Sequence, residues 1–320
     1  MARIRSVPPD GAALFIEAAA SASGAAAAAE IRQAWESGRS RPSWCFVAEE
    51  GGRPVGRLGY RTVEFGPPGT VEPFVFELDW SGDYRGLGCA LVRQSLGPVA
   101  ADGPTHLACE LYLGPEDPGP RRAVLEEAGI ALVQEMDCLV LDGPGPRGGA
   151  PDRLVFRSLP AVGEAPFLEA IRRATAASLD RFIPLFVEQA GSDRAFARHY
   201  FDFSRGNANF DPDWWHLAYD GAGELVGLIQ PELFPFPSPE GAYDGLVAYL
   251  GVVPQQRGKG YVHDLLAKAT AVARAAGAAT VYAQTDTRNA PMLRAFERAG
   301  YARHNTILKY HAPIAGVLGR

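Results

Sequence analysis

The segment Val252-Val253-Pro254-Gln255-Gln256-Arg257-Gly258-Lys259-Gly260-Tyr261 concentrates more chemistry than any other stretch of the chain. Two glycines, two residues apart and interleaved with Arg257 and Lys259, separate an apolar run from a stripe of apolar residues at helical spacing. The first N–H groups of a helix lack intrahelical acceptors and point out of its end, where they attract an anion. Gly258 and Gly260 remove Cβ atoms where phosphate oxygens must approach the backbone. The expected chemistry is a diphosphate cradle, with Arg257 and Lys259 either adding charge or solvated. Two other phosphate loops do not fit. A Walker A loop needs glycine where Val253 stands and Ser or Thr where Gly260 stands, and a dinucleotide fingerprint needs Gly or Ala at His263.

Other side chains offer acid–base chemistry, each with a structural role as the competing reading. Asp286, three residues before Asn289, is either a base or a turn carboxylate. Tyr249 either orients an incoming amine or packs in the core. His216 is either a strand-borne base or structural. Asn289 reads as the cap of a helix from Ala290 to Ala299. Asp180, Asp202 and Asp211 could pair with a cationic amine or be solvated. The aromatics Phe182, Phe186, Tyr200, Phe201, Phe203, Phe210, Trp214 and Trp215, with Phe234, Phe236 and Tyr243 in the loop after them, suit either a flat acceptor pocket or a core. No pair of His, Cys, Asp or Glu has metal-ligand spacing, and no metal is expected.

These residues need elements to hold them. Leu246 to Val253 reads as a buried strand. Val262, Leu265, Leu266, Ala269, Val272 and Ala273 form a helical stripe that Gly277 suits as C-cap. Leu154–Phe156, Thr280–Gln284 and Ile307–Tyr310 read as strands, and Phe167–Leu179 and Phe186–Tyr200 as helices. Trp214-Trp215-His216-Leu217-Ala218 followed by a Gly-rich turn reads as a hairpin. The same order recurs earlier. Ala48 and Ala218 lie 170 residues apart, Gly86 and Gly258 lie 172 apart, and Gly129 and Gly300 lie 171 apart. Two copies of one α/β domain are expected, over 1–142 and 153–320, joined by a Pro/Gly linker at 143–152.

At 320 residues the chain is long enough for two domains, with 47% hydrophobic and 21% charged residues. A net charge of −6 argues against a nucleic-acid partner, which needs a basic surface. No uninterrupted apolar run approaches the roughly 18 residues that cross a bilayer, so no membrane partner is expected. Arg3 and Arg5 precede an alanine-rich stretch, but Asp10 and Glu17 interrupt it, and a first-domain helix is expected rather than a secretory signal. Cys45, Cys89, Cys109 and Cys138 show no C-x-x-C spacing and read as buried free thiols, which points to a cytoplasmic address. The expected assembly is a monomer or homodimer.

The pattern Q/R-x-x-G-x-G after a strand reading V-x-P resembles the pyrophosphate signature of the GNAT acetyltransferases. Asn289-Ala290-Pro291-Met292, followed by Phe296 and Gly300-Tyr301, resembles that family's Asn-initiated helix. The resemblance covers nearly the whole second half and, more faintly, the first. It implies an α+β fold: two tandem copies, each a mixed, mostly antiparallel sheet flanked by helices. It also implies direct transfer from acetyl-CoA to an amine. The pantetheine would lie along Leu250, Gly251, Val252 and Val253, an N–H near Val252 would polarise the thioester oxygen, and the diphosphate would rest on the amides from Gln256 to Tyr261. Gln255, Asn289, Met292 and Phe296 complete the implied coenzyme site, and Asp286, Tyr249 and Val252 the implied catalytic set. Two departures stand out. Many members carry a glutamate where this chain has Ala248 or Tyr249, and a proton-donating tyrosine where it has Phe296.

The first copy departs further. Asp83 replaces the expected Gln or Arg, and Gly114–Pro120 interrupts the approach to its last helix. Glu77 occupies a base-like position or faces solvent. This copy is expected to shape the second copy's acceptor site rather than to bind coenzyme. Three function classes follow: an N-acetyltransferase acting on a small-molecule amine, an acyl-CoA-binding module without turnover, and an acyltransferase using another donor or a protein amine.

Overall fold

The computed structural model describes residues 2–319 apart from 9–10, 18–23, 64–65, 115–117, 144–152, 207–208, 235 and 239–240. In chain order the elements are β1 (Arg3–Ser6), α1 (Ala12–Glu17), α2 (Gly24–Glu36), β2 (Cys45–Glu50), β3 (Arg53–Thr62), β4 (Thr70–Leu78), α3 (Tyr84–Ala101), β5 (His106–Leu113), α4 (Gly119–Ala128) and β6 (Ala131–Asp142). There follow β7 (Val155–Ser158), α5 (Leu159–Val162), α6 (Glu164–Thr175), α7 (Phe182–Ala190), α8 (Asp193–Arg205), β8 (His216–Tyr219), β9 (Leu225–Leu233) and β10 (Gly245–Val252). The chain closes with α9 (Tyr261–Ala275), β11 (Thr280–Asp286), α10 (Ala290–Arg298), β12 (Ala302–Pro313) and α11 (Ile314–Leu318).

The repeat is visible element by element. Turns of 3-10 helix at Pro42–Trp44 and Pro212–Trp214 each lead into a hairpin. The hairpin is followed by a strand, a long helix, a strand, a shorter helix and a last strand. Two compact units result, but their boundary is not the one expected from the sequence. One unit comprises Met1–Gln134 with Leu308–Arg320, and the other Glu135–Ile307. The last strands are exchanged. From Met136 to Asp142, β6 pairs antiparallel with β11 of the second unit. From Leu308 onward β12 belongs to the first unit, where Lys309 Nζ lies 2.8 Å from Glu110 on β5 and Ile314 N–H donates to Thr105. A repeat period locates equivalent strands, but nonlocal pairing decides which sheet each one joins. Of the linker expected at 143–152, residues 144–152 lie outside the described residues.

In the first unit β1 to β4 pair antiparallel in sequence order, and β5 joins β4 in parallel at Thr70↔His106 and Val71↔Leu107. The alanine-rich N-terminal stretch is helical over 12–17 and 24–36. All four cysteines are buried free thiols, and burial pushes the pKa of Cys45 and Cys109 up to about 12, which leaves them unreactive. His311 stacks on His106 with centroids 5.3 Å apart. Burial, then the neighbouring His106, lowers its pKa from 6.5 to about 4. The neutral ring is the form the fold accepts, so this stability is complete above pH 6.5 and is lost as the pH falls toward 4. Unfolding by denaturant is expected to show a loss of roughly 1–3 kcal/mol across that window, and His311→Gln should flatten it.

In the second unit β7, β8, β9 and β10 pair antiparallel, β11 joins β10 in parallel, and β6 closes the far side. On one face α9 and α10 pack Leu265, Leu266, Ala269, Ala273 and Phe296 onto Val281 and Ala283. On the other, α6 buries Phe167, Ala170, Ile171 and Ala174, the i, i+3, i+4, i+7 set of one helical face. The stretch expected as one helix over Phe186–Tyr200 is two. Gly191 turns left-handed at φ +84°, and Ser192 Oγ accepts the Ala195 N–H to begin α8. Among the described residues no helix is long and apolar enough to cross a membrane.

Candidate functional site

The second unit's sheet opens between its two parallel strands. β10 and β11 pair only at Gly245↔Val281, Leu246↔Tyr282 and Val247↔Ala283. Beyond that point β10 runs on to Val252 and β11 to Asp286 without pairing to each other. On its other side β10 stays paired to β9, from Tyr249↔Gln230 to Val252↔Gly227. Val253 N–H donates to Val226 O at 2.9 Å. Groups along an antiparallel strand alternate in direction, so Val253 and Gly251 face β9, whereas Leu250 and the Val252 N–H face the opening, the Val252 C=O being taken by Arg257. Of the four residues expected to hold an extended ligand, Leu250 and Val252 have the geometry, and Gly251 and Val253 do not.

The opening leads to the glycine turn. Pro254–Gln256 form one turn of 3-10 helix, and the amides of Gln256 and Arg257 are spent on Val253 O and Pro254 O. Gly258 and Gly260 both adopt φ +78°, a conformation L side chains rarely take. An added Cβ at Gly258 would meet nothing within 4 Å. The amides of Gly258, Lys259, Gly260, Tyr261 and Val262 find no acceptor among the described residues. Five consecutive unpaired donors at the start of α9 form a concave array of positive partial charge.

The side chains of the turn do other work than expected. Arg257 donates to Val252 O (3.0 Å), Ala177 O (2.8 Å), Ala174 O (2.9 Å) and Ala176 O (2.9 Å), capping the C-terminus of α6. Its guanidinium therefore anchors the α6–α7 loop instead of facing an anion. Lys259 Nζ donates to Gln256 Oε1 at 2.7 Å, and the buried Gln256 reaches Asp220. Gln255 turns away, accepting from Arg173 beside a cavity of about 480 Å³ on the α6 side. The cradle is thus main chain, and the basic residues are its scaffold.

Asp286, expected as a base or a turn carboxylate, is wholly buried and fully engaged. Oδ2 accepts from Arg181 Nε (2.8 Å) and Arg181 N (3.1 Å), and Oδ1 from Arg181 Nη2 (3.0 Å) and Arg288 N (2.8 Å). A carboxylate bound this way has no lone pair to offer an amine, so the structural role holds. The α6–α7 loop is therefore gripped twice, by Arg257 from the end of β10 and by Asp286 from the end of β11. It contains Ala177 at φ +50°, the sole non-glycine with positive φ among the described residues. Asn289 caps α10, its side-chain oxygen accepting from Met292 N–H at 3.3 Å, with Met292 packed on the core. Phe296 is 2% exposed and meets Tyr301 edge-on in the core.

Facing α6 and α8, the sheet is polar where the opening begins. Tyr249 lies 5.0 Å from Tyr200, whose hydroxyl donates to Ala248 O. Burial, then the charge of Asp180, pushes the Tyr249 hydroxyl well above its usual pKa, so it is a neutral donor at working pH. Asp180 itself receives the amides of Phe182 and Ile183. Asp202 is paired with Arg198 and Arg205, and Asp211 caps a 3-10 turn. Of the aromatics, Phe186, Tyr200, Phe201 and Trp215 are core, whereas Phe203, Phe234, Phe236 and Tyr243 are exposed. His216 is structural, its Nδ1 2.9 Å from Trp214 O on a strand two removed from the opening.

Two residues that sequence reasoning passed over stand beside this pair. Gln230, cross-strand from Tyr249, is wholly buried, and neither side-chain atom has a partner among the described residues. Glu232, two residues on and so on the same face, is 7% exposed, and its charge bears on Tyr200. The signal was available: a Gln and a Glu in the otherwise apolar strand Leu225–Leu233, which the fold buries almost throughout. Gln230→Met removes two unpaired buried polar atoms at nearly constant shape. It is expected to raise unfolding stability by about 1–2 kcal/mol, read as a higher denaturant midpoint at unchanged slope.

Residues 179–301 match the sequence model of the acetyltransferase (GNAT) family. That segment is a GNAT-family domain. No curated protein matches the sequence significantly. Among solved structures, a GCN5-related N-acetyltransferase from Sphaerobacter thermophilus superposes with a TM-score of 0.62 at 17% identity, over 98% of this chain and 96% of that one. A tandem GNAT protein from the clavulanic acid biosynthesis pathway gives 0.52 at 17% identity, over 98% and 99%. At these identities the likeness is one of fold, and it extends over both GNAT-like copies.

The first copy keeps the frame of a GNAT domain without the cradle. Its β4 and β5 also part after two paired residues. However, Gly86 and Gly88 both lie inside α3, neither with positive φ. Gly88 is there for packing, since a Cβ would stand 2.7 Å from Val124. Trp80 fills the start of α3, edge-on to Phe76 and Tyr84 with the Arg121 guanidinium 5.4 Å from its ring. Glu77 is held by the buried Arg57 at 2.8 and 3.1 Å, which makes it structural rather than a base.

Proposed function

We propose that the second unit transfers an acetyl group from acetyl-CoA to a primary amine of a small molecule. The observation that carries this reading is the open edge of β10 together with the five unpaired amides at 258–262. The residues fit the coenzyme: an extended pantetheine arm can add to Leu250 and Val252 as a further strand, and a diphosphate suits the amide array at the head of α9. When bound, acetyl-CoA supplies a thioester whose carbonyl carbon takes the amine nitrogen as the C–S bond breaks, releasing an amide and free thiol. The Val252 N–H is placed to stabilise the oxygen that gains charge. Tyr249 donates a hydrogen bond at the mouth of the opening, the nearby charge of Asp180 draws the incoming ammonium, and water takes its proton. The thiol departs with a pKa of about 8.5 and needs no dedicated acid, in keeping with a core phenylalanine at 296.

The amine enters from the α6–α8 side, where Gln230, Glu232, Tyr200 and Tyr249 give a polar floor beneath an apolar helix layer. A reducing, cytoplasmic setting suits four buried thiols, and a monomer or homodimer needs no further component. A second reading, an acyl-CoA-binding module without turnover, is favoured by the engagement of Asp286 and the burial of Phe296. One experiment separates them: purified protein is given acetyl-CoA and a panel of small amines, and thiol release is followed. Acetyl-dependent release with at least one amine supports the enzyme. Coenzyme binding with no release for any amine supports the module, and release only with longer acyl donors, or only with protein amines, replaces both.

A further inference from the structure

Beneath the amide array, in the first turn of α9, lies a carboxylate. Asp264 is wholly buried; Oδ2 is ion-paired with Arg153, and Oδ1 has no partner among the described residues. An acidic residue in a first helical turn is favourable in isolation. It becomes a liability when a dianion must occupy the same helix end, because the two like charges then compete for one set of amides. Arg153, which opens the second unit's own repeat, answers that conflict. Its guanidinium pairs with Asp264, contacts Lys259 O and Gly260 O at 3.5 and 3.4 Å, and lies 5.3 Å from the Tyr261 ring. It also lies 4.0 Å from where a Cβ on Gly260 would stand. It engages carbonyls, on the side of the turn away from the free amides.

We infer that Arg153 is a positioning residue for the anion cradle. It cancels the Asp264 charge under the turn and fixes the 259–260 carbonyls, so that amides 258–262 meet a diphosphate with their full positive potential. The inference rests on the coenzyme reading above. It assigns to Arg153 and Asp264 the charge balance that the sequence pattern gave to Arg257 and Lys259.

Calorimetric titration of the full chain with coenzyme A tests it, alongside acetyl-CoA KM, kcat and thermal midpoint. Arg153→Met is expected to weaken coenzyme A binding about 10-fold, raising acetyl-CoA KM while leaving kcat and amine KM within about twofold. Asp264→Asn should bind as tightly as the unaltered chain or tighter. The double variant, with neither charge, should recover to within about threefold. Weakening that Asp264→Asn does not relieve would make Arg153 a direct phosphate ligand and overturn the inference. So would a fall in thermal midpoint with unchanged Kd, which marks a merely structural pair. If Arg153→Met does not fold, Asp264→Asn alone decides, since weaker binding there contradicts the charge argument. No coenzyme A binding by the unaltered chain is a different failure: it removes the coenzyme reading itself.

Discussion

Gly258→Glu is expected to abolish measurable coenzyme A binding, a loss of more than about 100-fold, or roughly 3 kcal/mol. Two effects act together. Residue 258 sits at φ +78°, where any L side chain costs about 1–2 kcal/mol. The new carboxylate also stands beside the five amides a diphosphate would occupy. Open space around the site lets the chain fold regardless, so calorimetry on a protein of near-normal thermal midpoint reads the effect. Gly86→Glu is the matched control in the other copy. That glycine is helical, has no positive φ, and a Cβ placed on it would meet nothing within 4 Å. The change should leave binding unchanged and, by helix propensity, cost nothing in stability. The reverse outcome would mean that the coenzyme belongs to the first copy.

Asp286→Ala is expected to lower unfolding stability by about 3 kcal/mol, because it strips a part-buried guanidinium and two backbone amides of their shared acceptor. Its effect on turnover should follow from the loosened α6–α7 loop and surface chiefly as a raised amine KM. A catalytic base would behave otherwise. Asp286→Asn would then cut kcat by several orders of magnitude, remove the acidic limb of the pH–rate profile and leave the thermal midpoint nearly unchanged. Urea titration and a pH–rate profile on the same two variants distinguish the roles.

Much of this site is legible in the sequence because it is main chain. A strand, two spaced glycines and an amphipathic helix set the backbone locally, and the free amides follow from helix geometry alone. The N-cap at Asn289 belongs to the same class of local information. Side-chain destinations do not. Arg257 looks like a phosphate contact until α6 is seen to end within its reach, and Asp286 looks like a base until Arg181 arrives from 105 residues away. Nor does periodicity separate α7 from α8, since one glycine with the right conformation interrupts an apolar pattern that continues across it. Gln230 and Glu232 are the instructive omission. The polarity of a strand is easily averaged away by its apolar neighbours, although two buried polar residues in such a run say more about function than the run says about fold.

The exchanged last strands change how the gene itself can be handled. The place where the text of the protein repeats, near residues 143–152, is not the place where its bodies separate. A cut there would leave one fragment with a β6 end that belongs to the other's sheet, and the other with a β12 end that belongs to the first. Recombination at the seam of the repeat therefore cannot yield two working modules. Any attempt to make the GNAT unit alone must begin at or before Glu135, and the first unit made alone must be given Leu308–Arg320 by another route.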